Sequence, residues 1–331
     1  MTDAAILVRA LRDPASTETL DAAGWTTLLA IARAEQLIGT LAHRLEGLPK
    51  PEAAERILTD ARASAEQGRA AALWEAEMAR RALGPLDMPV VLLKGTAFVA
   101  AGLSAGVGRA IGDLDILVPR DRIEEAEAAL LAAGWEWVKP DPYDDAYYRR
   151  WMHELPPLIH RERDRMIDVH HTILPLTARV TPDAVGLIAD SLPLENSLRV
   201  PTANDMLCHA AAHLFADGDL AGGLRNLWDV HCLVEEFGTE GLGARAAYHG
   251  LGKEMARALR LSAALYSIPG GETGVGDRLY LRRLLARDAW GRPDRKLTRL
   301  AFYIRSHLLR MPPGMLARHL WTKWRKGHVP A

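Results

Sequence analysis

Cysteine is nearly missing from this chain: Cys208 and Cys232 are the only two in 331 residues. That excludes a disulfide framework and a four-cysteine zinc site, and it suits a reducing compartment. An excess of charge of one sign is missing too. Lys and Arg number 41 against 42 Asp and Glu, a formal net charge of −1. No overall field recruits nucleic acid, so a polyanionic partner would need a local patch, and nucleic acid is not an expected partner. No uninterrupted apolar run approaches the roughly eighteen residues of a membrane span. The N-terminal MTDAAILVRALRD carries acids and too short an apolar stretch for an export signal. The expectation is a soluble, cytoplasmic protein with no membrane span. Internal repeats and low-complexity tracts are also lacking. What remains is ordinary globular composition, 49% hydrophobic and 25% charged, in a length that allows two or three domains.

The texture of the chain changes twice. Leu20 to Leu48 repeats apolar residues at three- and four-residue spacing, and Pro51 to Leu83 continues in a long alanine-rich period with proline at its first turn. Both read as helix. After Gly84-Pro85 the run MPVVLLKG, Met88 to Gly95, is β-branched and ends on glycine, which reads as a strand and a turn. GDLDILVP is a second strand, and Asp121 to Gly134 is a helix with an acidic start and a glycine stop. WEWVKP reads as a third strand, and Leu155 to Ile173 as two strands joined by the charged turn Arg161 to Arg165. From Thr202 onward helical periodicity returns in ANDMLCHAAAHLFADG, in LRNLWDVHCLVEEFG and beyond. The spacing predicts helices over 1–84, a mixed α/β core over 85–200 and a helical domain over 201–331.

Two carboxylates interrupt the second strand. Successive strand side chains point to opposite faces, so Asp113 and Asp115 share one face about 6.5–7 Å apart, while Leu114 and Ile116 point into the core. Two ionised groups so close repel each other, and an unpaired charge in a partly dry cleft costs several kcal/mol. A divalent cation removes the difficulty. Carboxylate oxygens are the ligands magnesium prefers, and it is commonly held by one or two of them plus substrate phosphates. The competing reading is a solvated acid pair matched to Arg109 or Arg120. Upstream, LLKGTAF places Gly95 at a strand end before Thr96 and a helical stretch, where backbone amides and a helix N-terminus favour an anion. Lys94 and Arg109 supply cations for a triphosphate. The spacing is not that of a P-loop. Downstream, RMIDVHHTI alternates Met166, Asp168 and His170 on one face against Ile167 and Val169 on the other. A third carboxylate is what a two-metal displacement needs, and Asp168 is the candidate, with His170 as a secondary one.

The order KG, R, GDLDILV, IDVHH, LCHAAAH, LRNLWDV resembles the bacterial nucleotidyltransferase-like proteins of the DNA polymerase β superfamily. Lys94-Gly95 matches the family's strand-end KG, and Arg109 its arginine before the acid pair. Asp113 and Asp115 match the D-h-D metal motif, and Asp168-Val169-His170 looks like the segment that brings the third carboxylate. The resemblance spans about Val90 to Val234. It keeps a hydroxyl at Thr96 where the superfamily has serine, and its gap from Gly95 to Asp113 is longer than in the minimal enzymes. It implies an α+β fold: a small mixed β-sheet nucleotidyltransferase core with N-terminal helices and a C-terminal helical bundle. The implied activity is transfer of an NMP, AMP foremost, from an NTP to a hydroxyl or similar acceptor. Asp113, Asp115 and Asp168 would be the catalytic, metal-binding residues. Lys94, Gly95, Thr96 and Arg109 would hold phosphates, with Mg2+ or Mn2+ as cofactor and the NTP as co-substrate. The acceptor, a small molecule or a protein, is not written in any motif.

Other readings compete. A D-x-D glycosyltransferase would also hold a metal–nucleotide, but such enzymes place strand–helix units before the motif, where this chain is helical. Haloacid-dehalogenase-like phosphatases need a threonine two residues after the second aspartate, and Leu117 stands there. A non-catalytic nucleotide-binding accessory protein is the third alternative, against which stands the presence of all three acids. His209 and His213, four apart on a helix, read as packing residues, since the H-E-x-x-H form and a third ligand are missing. The basic, tryptophan-bearing tail His319 to Pro330 reads as a solvated helix end with tryptophan packed inward, ahead of base stacking or a membrane surface.

Overall fold

The computed structural model describes residues 4–138, 141–267 and 273–325. The helical opening of the sequence becomes Ala5–Arg12, Ala22–Ala34, Ile38–Arg44 and the long Glu52–Leu83. The first long period breaks at Gln36, where the backbone turns left-handed at φ +55°. Pro51 stands just before the Glu52–Leu83 helix, in extended conformation, where its missing N–H costs nothing. Glu52 and Glu55 in the first turn and Arg80 and Arg81 in the last complement the helix dipole. The buried stripe of this helix is mostly alanine, including Ala54, Ala72, Ala76 and Ala79. Small side chains let the helix lie close against its neighbours, Ile38–Arg44 and Lys94–Ala100, and against the sheet.

Seven short strands form one mixed sheet: β1 (Val91–Leu92), β2 (Asp113–Leu117), β3 (Trp135–Trp137), β4 (Leu158–His160), β5 (Met166–His170), β6 (Leu192–Pro193) and β7 (Arg199–Val200). Their spatial order is β3-β4-β5-β2-β1-β7-β6. At the centre β2 runs parallel to β5, with β1 antiparallel on its other side. The charged turn closes β4 and β5 as an antiparallel pair. β6, β7 and the helices Pro142–Trp151 and Ala184–Ala189 carried no sequence signal strong enough to be anticipated. The expected strand from Met88 to Gly95 shortens to two residues, because Lys94 leaves the extended region at φ +49° and a helix, Lys94–Ala100, begins there. Of the third expected strand, Lys139 and Pro140 lie outside the described residues.

The second half returns to helix as the periodicity requires. Ala203–Ala211 runs into a π-helical turn, Ala212–Asp217, and Gly223–Phe237 follows, stopped by Gly238 at φ +73°. One hydrophobic core passes through all three stretches of the chain, joining Leu28 and Leu58 to Ile116 and Ile167 and on to Leu227 and Leu261. The loop before β2 is clamped to the N-terminal helices by two glycines. A Cβ on Gly108, itself at φ +65°, would come within 2.4 Å of the Gly39 backbone, so neither position tolerates a side chain. That contact fixes where GRAIGDLD enters the sheet. The helix Pro313–Arg325 takes in the first part of the tail from His319, and residues 326–330 lie outside what is described. Trp321, expected to pack inward, is exposed.

Candidate active site

β2 and β5 pair in register Asp115 against Asp168, and Asp113 against Met166. Facing residues on neighbouring strands sit about 4.8 Å apart and point the same way. The three carboxylates of Asp113, Asp115 and Asp168 therefore converge, each offering an oxygen within 4.8 Å of the others. Asp115 is buried, Asp168 half-buried and Asp113 exposed.

Asp115 is the most heavily partnered of the three. Lys94 Nζ lies 2.6 Å from its Oδ1, and His170 Nε2 lies 2.9 Å from the same oxygen. Burial alone would raise the Asp115 carboxyl, but the Lys94 charge and the His170 hydrogen bond outweigh it and hold the group well below the usual range. Lys94 arrives there by backbone design. Leu93 N–H donates to the Asp115 carbonyl at 3.0 Å, and the next residue takes the left-handed conformation. A lysine rarely adopts that geometry, and it is held here where it aims the side chain at the acids.

Asp168 has the opposite fate. Burial pushes its carboxyl up, and the neighbouring charges of Glu154, Asp115 and Asp113 push it further, to about 7. Glu154 is raised as well, first by burial. These are acids short of positive charge, a donor set of hard oxygens suited to a divalent cation.

Beside the acids opens a cavity of about 350 Å3, lined by Lys94, Arg109, Asp113 and Asp115 on the sheet side. The Gly223–Phe237 helix adds Arg225, Asn226 and Asp229, and Gln36 closes one rim. Arg109 forms an ion pair with Asp229. Asp229 also takes two hydrogen bonds from Arg225, at 2.6 and 3.0 Å, while Arg225 donates to Thr40 Oγ1 at 2.7 Å. One carboxylate thus answers two guanidiniums, leaving an unmatched positive charge at this end. The cleft is acidic at one wall and cationic at the other, which suits an anion that travels with a cation.

Gly95 and Thr96 are buried and do not line the cavity. A Cβ on Gly95 would meet Arg109 Nε at 2.6 Å, so its bareness makes room for the Arg109 side chain, which also lies over the Phe98 ring. Among the described residues the buried Thr96 Oγ1 has no hydrogen-bond partner. His209 and His213, for which packing was the favoured expectation and a place near the nucleotide the lesser one, both line the cavity. The π-helical turn that carries His213 is the kind of helix irregularity often found where side chains are re-aimed at a site. Burial and the nearby Lys94 charge hold the His209 imidazole well below its ordinary range, so it is neutral.

Sequence reading missed Glu154, Arg225 and Asp229. Arg225 and Asp229 stand four apart, a helical ion-pair spacing visible in LRNLWD. Glu154 sits in a loop and is tied to β5 by an isolated antiparallel bridge to His170, which no local pattern announces.

The chain matches the family described as uncharacterised nucleotidyltransferase over residues 21–267. With most of its length inside that match, it belongs to this nucleotidyltransferase family and is a transferase enzyme. No curated protein matches it. Among solved structures it is similar to the antibiotic-resistance factor ANT(2'')-Ia, known from a solution structure, at 13% identity and a TM-score of 0.37, over 53% of this chain and 89% of that one. Among the described residues no helix is long and apolar enough to cross a membrane.

Proposed function

We propose that the chain transfers a nucleoside monophosphate, AMP foremost, from an NTP to a hydroxyl or similar group of an acceptor. The observation that carries this reading is the meeting of three carboxylates within 4.8 Å, two of which, Asp113 and Asp115, line a cleft together with Lys94, Arg109 and Arg225. Asp113, Asp115 and Asp168 fit Mg2+ or Mn2+ by donor chemistry, and the raised Asp168 carboxyl marks the charge that such an ion would answer. Asp113, Asp115 and Asp168 would hold such an ion, which when bound would supply neutralisation of phosphate charge at the reacting centre.

The remaining work is positioning. Lys94 and Arg109 face the cavity and hold the negative tail of the nucleotide, with Arg225 reinforcing Arg109 through their shared Asp229. Gly95 gives Arg109 its seat, and Thr96 backs the same turn. Asp168 takes the proton of the attacking hydroxyl at its carboxylate oxygen. His170 holds Asp115 through the 2.9 Å contact.

The test is incubation with each α-labelled NTP and cell extract, reading which molecule acquires label. Transfer that needs a divalent ion is expected, with one base preferred. The double substitution Asp113→Asn, Asp115→Asn should lower transfer by about a thousandfold or more with the far-UV circular dichroism spectrum unchanged. Undiminished labelling by that variant would remove the mechanism.

A further inference from the structure

A second group of metal-binding side chains lies behind the aspartates. His153, Glu154 and His170 each offer a ligand atom, and these atoms lie within 4.8 Å of one another. The group is assembled by backbone pairing. His171 N–H donates to the His153 carbonyl at 2.9 Å, Leu155 N–H donates to the Val169 carbonyl at 2.9 Å, and Glu154 bridges to His170. A loop that is otherwise free to wander is thereby laid along the end of β5.

The distances inside the group decide what it is. Glu154 Oε2 is 3.4 Å from His170 Nδ1 and 3.5 Å from His153 Nε2. Both are too long for good hydrogen bonds. They are close to the edge of roughly 3.3 Å between neighbouring ligands in a tetrahedral site with metal–ligand bonds of about 2.0–2.1 Å. His170 is 1% exposed, and among the described residues its Nδ1 has no hydrogen-bond partner. A buried ring nitrogen left without a partner carries its desolvation penalty uncompensated, which a metal ion would recover. The other nitrogen of the same ring, Nε2, contacts Asp115 Oδ1 at 2.9 Å. A histidine that ligates with one nitrogen and leans on a carboxylate with the other is the usual outer-shell arrangement of imidazole metal sites.

We propose that His153, Glu154 and His170 bind a divalent transition-metal ion of the zinc or cobalt class, separate from the ion that accompanies the nucleotide. Two imidazoles and one carboxylate select such an ion over magnesium, which prefers oxygen alone. Three protein ligands leave a further position for water or a substrate oxygen. The bound ion pins the His153–Leu155 segment to β5 and, through His170, steadies Asp115. The proposal does not rest on the nucleotidyl-transfer reading, and its test contains no nucleotide.

The full chain, stripped with chelator, is titrated with Co2+ in excess Mg2+, so that the aspartates are already satisfied. The readouts are calorimetry and the visible ligand-field spectrum. One Co2+ per chain is expected, with the intense absorption of a low-coordinate imidazole site, displaced by one Zn2+. His153→Ala and Glu154→Gln should each weaken binding at least tenfold and bleach the spectrum, while Asp113→Asn keeps both. Absence of stoichiometric Co2+ binding to the unaltered chain overturns the proposal. So does binding that survives His153→Ala and Glu154→Gln, or that disappears with Asp113→Asn. If circular dichroism shows His153→Ala unfolded, His153→Gln takes its place.

Discussion

Asp205 and Asp168 are both aspartates withdrawn from solvent, and the protein treats them in opposite ways. Asp205 is fully buried and saturated. Arg245 reaches its two oxygens at 2.5 and 2.8 Å, His249 contacts it at 3.0 Å, and Thr202 donates at 2.8 Å. Burial alone would raise this carboxyl, but those bonds hold it below the ordinary range. Asp168 has no such company. Among the described residues no side chain donates a hydrogen bond to it, and burial with the charges of Glu154 and Asp115 lifts it to about 7 despite the opposing His170. An acid whose needs are met locks the Ala203–Ala211 helix to Leu242–Tyr248. An acid whose needs are unmet is a place prepared for something the protein does not itself supply.

The comparison breaks first at Asp205. Removing one partner of a buried ion pair leaves the other uncompensated, so Asp205→Ala should cost about 3 kcal/mol in urea denaturation at neutral pH. A loss well under 1 kcal/mol would mean that Asp205 is not the anchor described. Asp168→Asn should do the reverse. The folded state binds a proton at Asp168 up to about pH 7, whereas the unfolded chain releases it near 3.8. Between those values the native state holds more protons, so this residue makes stability fall as pH rises. Asparagine removes the penalty, and the metal-free variant should gain a few kcal/mol at pH 8, at about 1.4 kcal/mol for each pH unit by which the carboxyl is raised, and almost nothing at pH 4. It should also lose transfer, which would tie the instability to function. The smallest effect concerns magnesium. Because the ion competes with the Asp168 proton, its affinity should fall toward tenfold per unit as pH drops below about 7. Calorimetry in buffers of different ionisation enthalpy would then record proton release on binding, and a pH-independent affinity would contradict the assignment of Asp168.

Asp205 was not singled out in the sequence, whereas the strand faces that carry the three site aspartates were readable there. Alternation alone put Asp113 and Asp115 on one face of β2, and Met166, Asp168 and His170 on one face of β5, because a strand has a period of two wherever it lies. Helical spacing located Glu52–Leu83 and Gly223–Phe237. The two-residue strands β1, β6 and β7 were not legible at their true lengths, since so few residues hold no period. For His209 and His213 the spacing told which face they share but not what that face meets, so the choice between packing and the cavity could not be made from it. Glu154 gave no sign at all. It owes its place to a bridge with His170, sixteen residues later in the chain.

The sequence by itself determined the donors and the local faces that carry them: three aspartates on strand positions of matching parity, a lysine and an arginine nearby, helices before and after. Only the tertiary structure decided that Asp115 would stand against Asp168, that Asp229 would answer two arginines, and that His153 and Glu154 would reach His170. Local periodicity reports which side a residue faces. Which strand or helix lies on that side is settled by how the whole core closes, through contacts between residues far apart along the chain.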